Sequence, residues 1–402
     1  MRVLLVNKFL HPRGGAERAV LALGAALEAR GHEIFWFGME HEENTVTGEN
    51  VALVRARDYH APGRQRFLDA ASMLYSLEAK RRLGRFLVRA RPDVVHVHNI
   101  YHQLSASILD AARERDVPVV MTVHDYKLVC PRYDLLRHGR PCDACVEEGP
   151  HACVRYRCAG SWVRSTWLTM ESLLQRLRRS YDDVRRFMTP SRFLSHVLVR
   201  GGVDASRLRH VPNFAAASLP EKGSMRADSF VYAGRLSPEK GLRTLFEAAC
   251  LLEGGSLVVC GRGPMEEELR ERAAQAPPGR IVLRGHLPAG SLWREMGAAA
   301  FTVLPSECFE NAPLSLLESM ALGRACIASR IGGIPELVDE SRSGLLVPPG
   351  DPRAWREALG WALSQPQRLQ EMGDAARRIA TQRYRLEQHV HAVESVYAEV
   401  LA

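Results

Sequence analysis

Short apolar runs alternate with stretches of helical spacing along the first third of the chain. The apolar runs are 3–7, 32–37, 93–98 and 117–123, and the helical stretches between them include 16–30 and 103–115. Near-continuous apolar strands separated by helices are typical of a parallel sheet that is covered on both faces. We therefore predict a doubly wound α/β domain, whose site lies at the carboxyl ends of its strands.

The same alternation begins again after residue 213. Its predicted strands are 230–233, 257–260, 281–284, 301–304 and 325–329. The stretch 215–228, rich in Ala and Ser with one Pro and one Gly, is the predicted linker. We predict a first domain over 1–212 and a second over 213–385. A helix over 386–402 has no strand after it, and we expect it to cross back to the first domain.

Bulk composition narrows the class of protein. A chain of 402 residues with 46% apolar content can bury a large core, and this length favours two domains. No apolar run reaches the roughly 18 residues of a membrane span, and the run 3–6 is too short for a signal-peptide core, so we expect a cytoplasmic protein. A net charge of +8 suits anionic partners. Nucleic acid is disfavoured, because the basic residues lie in no recognised DNA- or RNA-binding motif.

Two turns carry features of an anion site. Gly14 and Gly15 follow the first strand and open a helix, where backbone N–H groups can approach an anion. In the second domain, Arg235 and Lys240 flank a turn between a strand and a helix. These two cations could neutralise a diphosphate without a metal ion, and no Asp-x-Asp occurs in the chain to hold one. A plain tight turn and a solvated basic turn are the respective alternatives.

The segment 306–318 places two carboxylates eight positions apart. Glu310 precedes a predicted helix, Glu318 lies inside it, and Pro313 suits its first turn. Both carboxylates could then reach one ligand, and the N–H groups of Asn311, Ala312 and Leu314 could add contacts. A generic helix also often carries two glutamates at this spacing.

Taken together, these segments resemble glycosyltransferase family 4. The shared features are the Gly-Gly turn, a strand ending in His124 and Asp125, Gly-Arg-x4-Lys-Gly over 234–241, and Glu-x7-Glu over 310–318. The segments 260–264, 285–287, 332–336 and 343–351 are also similar to that family, so the resemblance spans nearly the whole chain. It implies the GT-B fold, in which two Rossmann-like doubly wound domains face each other across a cleft that binds the donor.

The resemblance also implies a role for each matching residue. The catalytic residues would be His124, Arg235, Lys240 and Glu310. His124 would contact the sugar or the charge that develops near the acceptor. Arg235 and Lys240 would hold the diphosphate, and Glu310 would bind sugar hydroxyls. Glu318 would bind the ribose. The remaining donor contacts would be Gly14, Gly15, Gly285, His286, Leu287, Asn311, Ala312 and Leu314, with the turn 285–287 beside the base. Asn311 departs from the family, many of whose members have Gly there.

The implied reaction moves a sugar from a nucleoside diphosphate donor to a saccharide or lipid-linked acceptor with retention of configuration, in cell-surface polysaccharide assembly. The departing phosphate oxygen would deprotonate the acceptor, so that neither a protein nucleophile nor a catalytic metal or cofactor is needed. His124 is either a general base or a satisfied core histidine. A catalytically silent nucleotide-sugar-binding subunit and a nucleotide-sugar epimerase or hydrolase are the alternatives.

An insertion over 130–158 contains five of the nine cysteines. Four thiolates suffice for tetrahedral zinc, and in a reducing compartment a Cys-x-x-Cys pair points to a metal. We predict Cys142, Cys145, Cys153 and Cys158 as ligands of a structural zinc, with Cys130 or His151 as substitutes. Free thiols or a labile disulfide remain open.

The segment 155–200 carries ten arginines and three acidic residues, with Trp and Leu side chains between them. A basic amphipathic helix of this kind can rest on an anionic membrane surface, which would suit a lipid-linked acceptor and a peripheral location on the inner face of the plasma membrane. A solvated helix face, or a cover for the domain core, explains the pattern equally well.

Overall fold

The computed structural model describes residues 1–58, 64–216, 219–220 and 225–402, and of 64–68 it describes the backbone. These residues form two compact units. The first contains Met1–Leu135, Cys142–Pro212 and Glu387–Ala402, and the second contains Leu136–Pro141 and Asn213–Leu386. Residues 217–218 and 221–224 of the predicted linker 215–228 lie outside the described residues. Within the described part of the chain, no helix is both long and apolar enough to cross a membrane.

The first unit is built on a parallel sheet. The strands up to Pro212 are β1 (Arg2–Val6), β2 (Glu33–Met39), β3 (Val51–Val54), β4 (Val94–Val97), β5 (Val119–Thr122), β6 (Leu136–Arg137), β7 (Arg140–Pro141), β8 (Val184–Thr189) and β9 (Leu208–His210). The sheet order is β3-β2-β1-β4-β5-β8-β9. Strands β6 and β7 form a separate antiparallel hairpin that groups with the second unit, although the sequence analysis assigned the whole insertion to the first domain.

Helices flank this sheet. They are α1 (Gly15–Ala29), α2 (Arg64–Leu74), α3 (Leu77–Ala90), α4 (Ser107–Arg113), α5 (Ala144–Glu147), α6 (Ala152–Arg155), α7 (Trp162–Leu177) and α8 (Arg192–Arg200). Gly24 lets α1 lie close to the sheet, because a Cβ at this position would stand 2.3 Å from the Trp36 ring. The close packing fixes where the first turn of α1 lies, next to the carboxyl end of β1.

The second unit repeats this architecture. Its strands are β10 (Arg226–Ala233), β11 (Ser256–Cys260), β12 (Ile281–Gly285), β13 (Ala299–Leu304), β14 (Cys326–Ser329) and β15 (Gly344–Val347), in the order β12-β11-β10-β13-β14-β15. Its helices are α9 (Leu242–Cys250), α10 (Glu266–Gln275), α11 (Ala289–Ala298), α12 (Leu314–Ala321), α13 (Ile334–Leu337), α14 (Pro352–Ser364) and α15 (Pro366–Arg383). Strand β10 begins at Arg226, four residues before the predicted start.

The core of the second unit lies between this sheet and its helices. The rings of Phe230 and Phe301, on neighbouring strands β10 and β13, stack with centroids 5.1 Å apart, and Trp355 of α14 is fully buried. The last helix, α16 (Leu386–Leu401), groups with the first unit from Glu387 onward. Two parallel, helix-covered sheets confirm the predicted α/β class.

Candidate active site

Strands β10 and β13 are neighbours at the centre of the second sheet, and they mark its switch point. The chain leaves β10 toward β11 on one side of the sheet and leaves β13 toward β14 on the other. In open α/β sheets, ligands bind at this place, outside the carboxyl ends of the strands. Arg235 and Lys240 follow β10, and Glu310 follows β13, so three of the four predicted catalytic residues lie on these two loops.

Lys240 and Glu310 form an ion pair across the switch point. Their Nζ and Oε1 atoms are 2.6 Å apart, and the Ser306 hydroxyl donates to the same Oε1 at 2.6 Å. Burial raises the pKa of Glu310, but the Lys240 charge and both hydrogen bonds outweigh it and hold that pKa below its usual value. Burial also lowers the pKa of Lys240, yet the Glu310 charge and hydrogen bond, together with smaller contributions from Cys308 and Tyr232, hold that pKa above its usual value. Both groups are therefore charged at neutral pH.

Arg235 is exposed on the loop that follows β10, and within the described residues its guanidinium makes no ion pair. Its backbone is held in place from both sides. The Arg235 carbonyl accepts a hydrogen bond from the Tyr232 hydroxyl at 2.7 Å, and the next amide, of Leu236, donates to the Arg262 carbonyl at 2.9 Å. A fixed loop with an unpaired cation is suited to an anionic ligand.

Two glycines set the positions of these loops. Gly241 has φ +68°, and a Cβ there would lie 1.9 Å from the Pro305 carbonyl oxygen. Gly332 has φ +61°, and a Cβ there would lie 2.3 Å from the Glu310 carbonyl oxygen, which also accepts the Gly333 amide at 2.7 Å. Any side chain at either position would strain the backbone and push the loops apart. The main chain thus fixes the location of Glu310.

The second carboxylate of the pair, Glu318, lies inside α12 and is 2% exposed. The helix begins at Leu314, and Pro313 precedes it with an extended backbone (φ −67°, ψ 123°). The sequence analysis had placed Pro313 inside the first turn of the helix. The Ala312 carbonyl accepts a hydrogen bond from the Asn213 side chain at 2.9 Å. Asn311 and Leu314 are half-buried beside it.

The turn after β12 lies at the same edge of the sheet. Gly285 has φ +65°, and its carbonyl accepts the Gly261 amide at 2.8 Å. His286 is exposed, whereas Leu287 packs against an apolar cluster next to α11. The structure thus joins this turn to the loop after β11.

In the first unit, Gly14 and Gly15 lie at the start of α1. Gly14 precedes the helix with extended backbone (φ −151°), and Gly15 is exposed. Neither glycine has a positive φ. A Cβ at Gly14 would meet the Glu17 carboxylate at 3.1 Å, so the absence of a side chain matters here for space.

His124 follows β5 and belongs to a row of histidine rings. Its Nε2 lies 3.0 Å from the Nδ1 of His98, and the His98 ring lies 4.1 Å from the His96 ring between centroids. Burial lowers the pKa of His124 to about 4, and the His389 charge adds to this effect. His124 is therefore neutral at neutral pH and is a weak proton acceptor. This favours a hydrogen-bonding role over a role as general base.

Two charged residues near His124 were given no role by the sequence analysis. Lys8 lies two residues after the end of β1. Burial lowers the pKa of Lys8, although the Asp125 and Glu17 charges oppose this change. Burial raises the pKa of Asp125 to about 6, against the hydrogen bond that it accepts from the Lys127 amide at 2.9 Å. Polar side chains directly after a buried strand were the available signal, and the same signal applies to His98.

Comparison with known proteins decides the family. The profile described as Glycosyltransferase Family 4 matches residues 13–218, and the profile described as Glycosyl transferases group 1 matches residues 221–379. The chain belongs to glycosyltransferase family 4. The match agrees with the resemblance that the turns, the His-Asp strand end and the paired glutamates indicated.

Individual relatives cover much or nearly all of this family 4 chain. It is 27% identical to a glycogen synthase of Mycobacterium tuberculosis over 432 residues, covering 99% of this chain and 94% of the relative. It is 30% identical to an α-maltose-1-phosphate synthase of Mycolicibacterium smegmatis over 304 residues, covering 71% and 73%. Among solved structures, Anabaena HepE in complex with UDP and glucose is similar in fold, with a TM-score of 0.69, 14% identity and coverage of 99% and 100%. The protein is a glycosyltransferase with the two-domain GT-B fold.

Four of the five cysteines in the insertion of this glycosyltransferase are buried. Cys130, Cys145, Cys153 and Cys158 are buried, whereas Cys142 is half-buried and His151 is exposed. A hydrogen bond from Cys145 lowers the pKa of Cys130, and one from Cys158 lowers that of Cys153. Cys142 follows β7, where its amide donates to the Leu135 carbonyl at 2.7 Å. The buried group thus contains Cys130, which the sequence analysis named as a substitute, and not Cys142, while the ligand set itself stays a prediction.

The four buried thiols fit zinc chemically, since four sulfur ligands suit a structural site. They form two hydrogen-bonded pairs, and among the described residues no three of their sulfur atoms all lie within 4.8 Å of one another. Binding a metal would thus require the two pairs to move closer together.

One cluster of potential metal ligands does meet that distance within the described residues, namely His11, His41 and Glu43. The sequence analysis did not identify it. The two imidazole rings stack with centroids 4.3 Å apart, and Glu43 is mostly exposed. The Nδ1 of His41 already accepts the Glu43 amide at 3.2 Å, so this ring nitrogen has a protein partner.

Proposed function

We propose that this glycosyltransferase moves a sugar from a nucleoside diphosphate donor to a saccharide or lipid-linked acceptor, with retention of configuration, in the cytoplasmic steps of cell-surface polysaccharide assembly. The observation that carries the proposal is the Lys240–Glu310 pair at the switch point, with the exposed Arg235 on the same loop. The names of the two relatives, and the UDP and glucose bound to HepE, support a nucleotide-sugar donor and a saccharide product.

In this proposal, Arg235 and Lys240 bind the donor diphosphate. Two fixed cations at the leaving group stabilise the negative charge that develops there, which a metal ion would otherwise do. Glu310 accepts hydrogen bonds from sugar hydroxyls, and its present partner Lys240 then turns toward the phosphate. The 2.6 Å pair thus keeps both side chains in place until the donor arrives.

The remaining predicted residues contact other parts of the donor. Glu318 binds the ribose, and the turn 285–287 lies beside the base. Gly14 and Gly15 supply backbone N–H groups to the donor phosphate or sugar. Asn311, Ala312 and Leu314 complete the contacts around the start of α12.

Retention of configuration requires no protein nucleophile if the departing phosphate oxygen takes the acceptor proton on the same face. The low pKa of His124 supports this route, because a histidine with a pKa of about 4 is a poor general base at neutral pH. Its neutral ring can instead hold a sugar hydroxyl by a hydrogen bond. His98 fixes the orientation of that ring.

We also propose that Cys130, Cys145, Cys153 and Cys158 hold a structural zinc ion in the first unit. The ion would stabilise the insertion by linking its two thiol pairs. It would take no part in the transfer reaction.

Donor profiling tests the proposal directly. Thermal shifts with UDP-, GDP- and ADP-sugars identify the donor, and NMR of the product formed with saccharide or membrane-extract acceptors gives its anomeric configuration. We expect a retained anomeric centre and full activity without added magnesium or any other added divalent cation. An inverted product, strict magnesium dependence, donor turnover without an acceptor, or binding without turnover would each contradict the proposal.

A further inference from the structure

Helix α7 packs against the first unit with its polar side. The residues that it buries are Ser165, Thr169, Glu171, Ser172 and Gln175. A helix on the surface of a globular protein normally buries its apolar stripe and exposes its polar one. In α7 every buried side chain is polar, and five large apolar side chains are exposed.

Five large apolar side chains of the same helix are exposed, whereas Trp167, Leu168 and Leu174 are half-buried. The exposed ones are Trp162 (51% exposed), Val163 (80%), Met170 (46%), Leu173 (48%) and Leu177 (83%). Val163, Met170 and Leu177 are seven residues apart and so lie on one stripe along the helix. A stripe of exposed apolar side chains is a candidate surface for an apolar partner or a membrane.

A buried ion pair fixes this orientation. The Lys127 Nζ lies 2.6 Å from the Glu171 Oε2, both side chains are fully buried, and the same Nζ donates to the Pro131 carbonyl at 2.8 Å. Gln175 donates to the other Glu171 oxygen at 3.3 Å. The helix cannot rotate to hide its apolar stripe without leaving a buried charge unpaired. The exposure of the stripe is therefore a stable property of the fold.

Unpaired arginines border the stripe. Arg157, Arg164 and Arg176 form no ion pair within the described part of the chain, and the Arg157 guanidinium lies 4.9 Å from the centre of the Trp162 ring. An apolar helix face with cations and a tryptophan at its border matches the boundary between lipid headgroups and acyl chains. A water-soluble protein partner would need acidic groups, whereas an anionic bilayer offers both the negative charge and the apolar phase.

We propose that α7 binds this glycosyltransferase to an anionic lipid bilayer. Val163, Met170, Leu173 and Leu177 enter the acyl boundary, and Arg157, Arg164 and Arg176 contact lipid phosphates. The inference goes beyond the proposed reaction, because it does not depend on which sugar or acceptor is used.

Vesicle flotation of the full chain tests it without any donor. We expect binding to phosphatidylcholine vesicles that contain phosphatidylglycerol, weaker binding at high salt, and little binding to phosphatidylcholine alone. The variants Leu173→Ser/Leu177→Ser and Arg164→Glu/Arg176→Glu should each reduce binding about tenfold or more, since each removes one part of the attraction. The control Val88→Ser/Leu251→Ser removes two other exposed apolar side chains and should bind like the original chain.

Thermal unfolding of each variant should stay close to that of the original chain, because the replaced side chains are exposed. Equal vesicle binding by all variants, or no binding of the original chain to anionic vesicles, would overturn the proposal. A dimer in light scattering that Leu173→Ser/Leu177→Ser dissociates would assign the stripe to a second copy of this chain, and would overturn it too.

Discussion

The Lys240 ammonium lies 2.6 Å from the Glu310 carboxylate, which joins the loop after β10 to the loop after β13. The two residues are 70 positions apart in the chain. In the proposed reaction one of them serves the leaving group and the other serves the sugar. Their contact therefore couples the two ends of the donor before it binds, and either substitution will disturb both ends to a different degree.

Replacing Lys240 by Met should slow transfer roughly a hundredfold. Loss of one preorganised donor to a developing anion costs about 3 kcal/mol of transition-state stabilisation. The measurement is kcat/KM with saturating acceptor. The matched control is Arg243→Met, one turn further along, where the guanidinium is exposed and paired with Glu268. Near-normal turnover of Lys240→Met would remove Lys240 from the diphosphate site.

Glu310 and Glu318 should differ in what they bind. Glu318→Gln should weaken both the intact donor and the free nucleoside diphosphate, because the ribose is present in both. Glu310→Gln should spare the nucleoside diphosphate and depress transfer, because its partner exists only on the sugar. Calorimetry with both ligands checks this, and equal losses of nucleoside diphosphate affinity would show that the carboxylates do not divide the donor.

Zinc should co-purify at about one ion per chain and depend on the buried thiols. Cys130→Ser and Cys145→Ser should lose the metal, whereas Cys142→Ser, whose thiol lies outside the buried group, should keep it. Elemental analysis of protein prepared under reducing conditions gives the answer. Metal-free original protein would reject the site. Loss of zinc in Cys142→Ser and Cys145→Ser, but not in Cys130→Ser, would instead support the ligand set predicted from sequence.

Stability should fall between pH 7 and pH 5 in part through His389. Burial lowers its pKa from 6.5 to about 4, so below pH 6.5 the unfolded chain takes up a proton that the folded chain does not. This contribution favours the folded state above pH 6.5 and is lost as the pH falls toward 4. His389→Asn should therefore lose about 2 kcal/mol less unfolding free energy over this interval than the original chain.

Urea unfolding at both pH values measures this difference. Asparagine keeps a donor for the Pro212 carbonyl, which now accepts from the His389 Nδ1 at 2.7 Å. His391→Asn is the control, since that ring is exposed on the same helix. The same pH response in His389→Asn and the original chain would show that His389 does not titrate as its burial implies.

Much of the fold could be predicted because parallel strands and their helices leave a local pattern of apolar residues. The strands near Leu4, Val95, Val258 and Ile327 were predicted within one or two residues of their bounds. Strands β3, β8, β9 and β15 were missed. Several of these are short or lie at a sheet edge, where fewer apolar side chains are needed.

The site and the insertion were harder to predict, because their contacts are not local. The partner of Lys240 is set by the order of the strands, which sequence spacing does not show. Which thiols are buried depends on the packing of the whole insertion, and Cys142, directly after β7, is only half-buried. The spacing of apolar residues in α7 predicts that its apolar face packs on the core. The structure buries polar side chains of α7 instead, because Lys127, distant in sequence, pairs with Glu171 inside the unit.

Gly241 and Gly332 lie so close to the carbonyl groups of Pro305 and Glu310 that neither glycine can be replaced. The residues that fix the backbone of the site are therefore different from the residues that can set its preference for a sugar. Because main-chain contacts locate the backbone of Glu310, we expect that neighbouring side chains such as Asn311 can vary without displacing it. Directed evolution toward a new donor sugar should therefore accumulate substitutions around Asn311, while both glycines stay unchanged in every active variant.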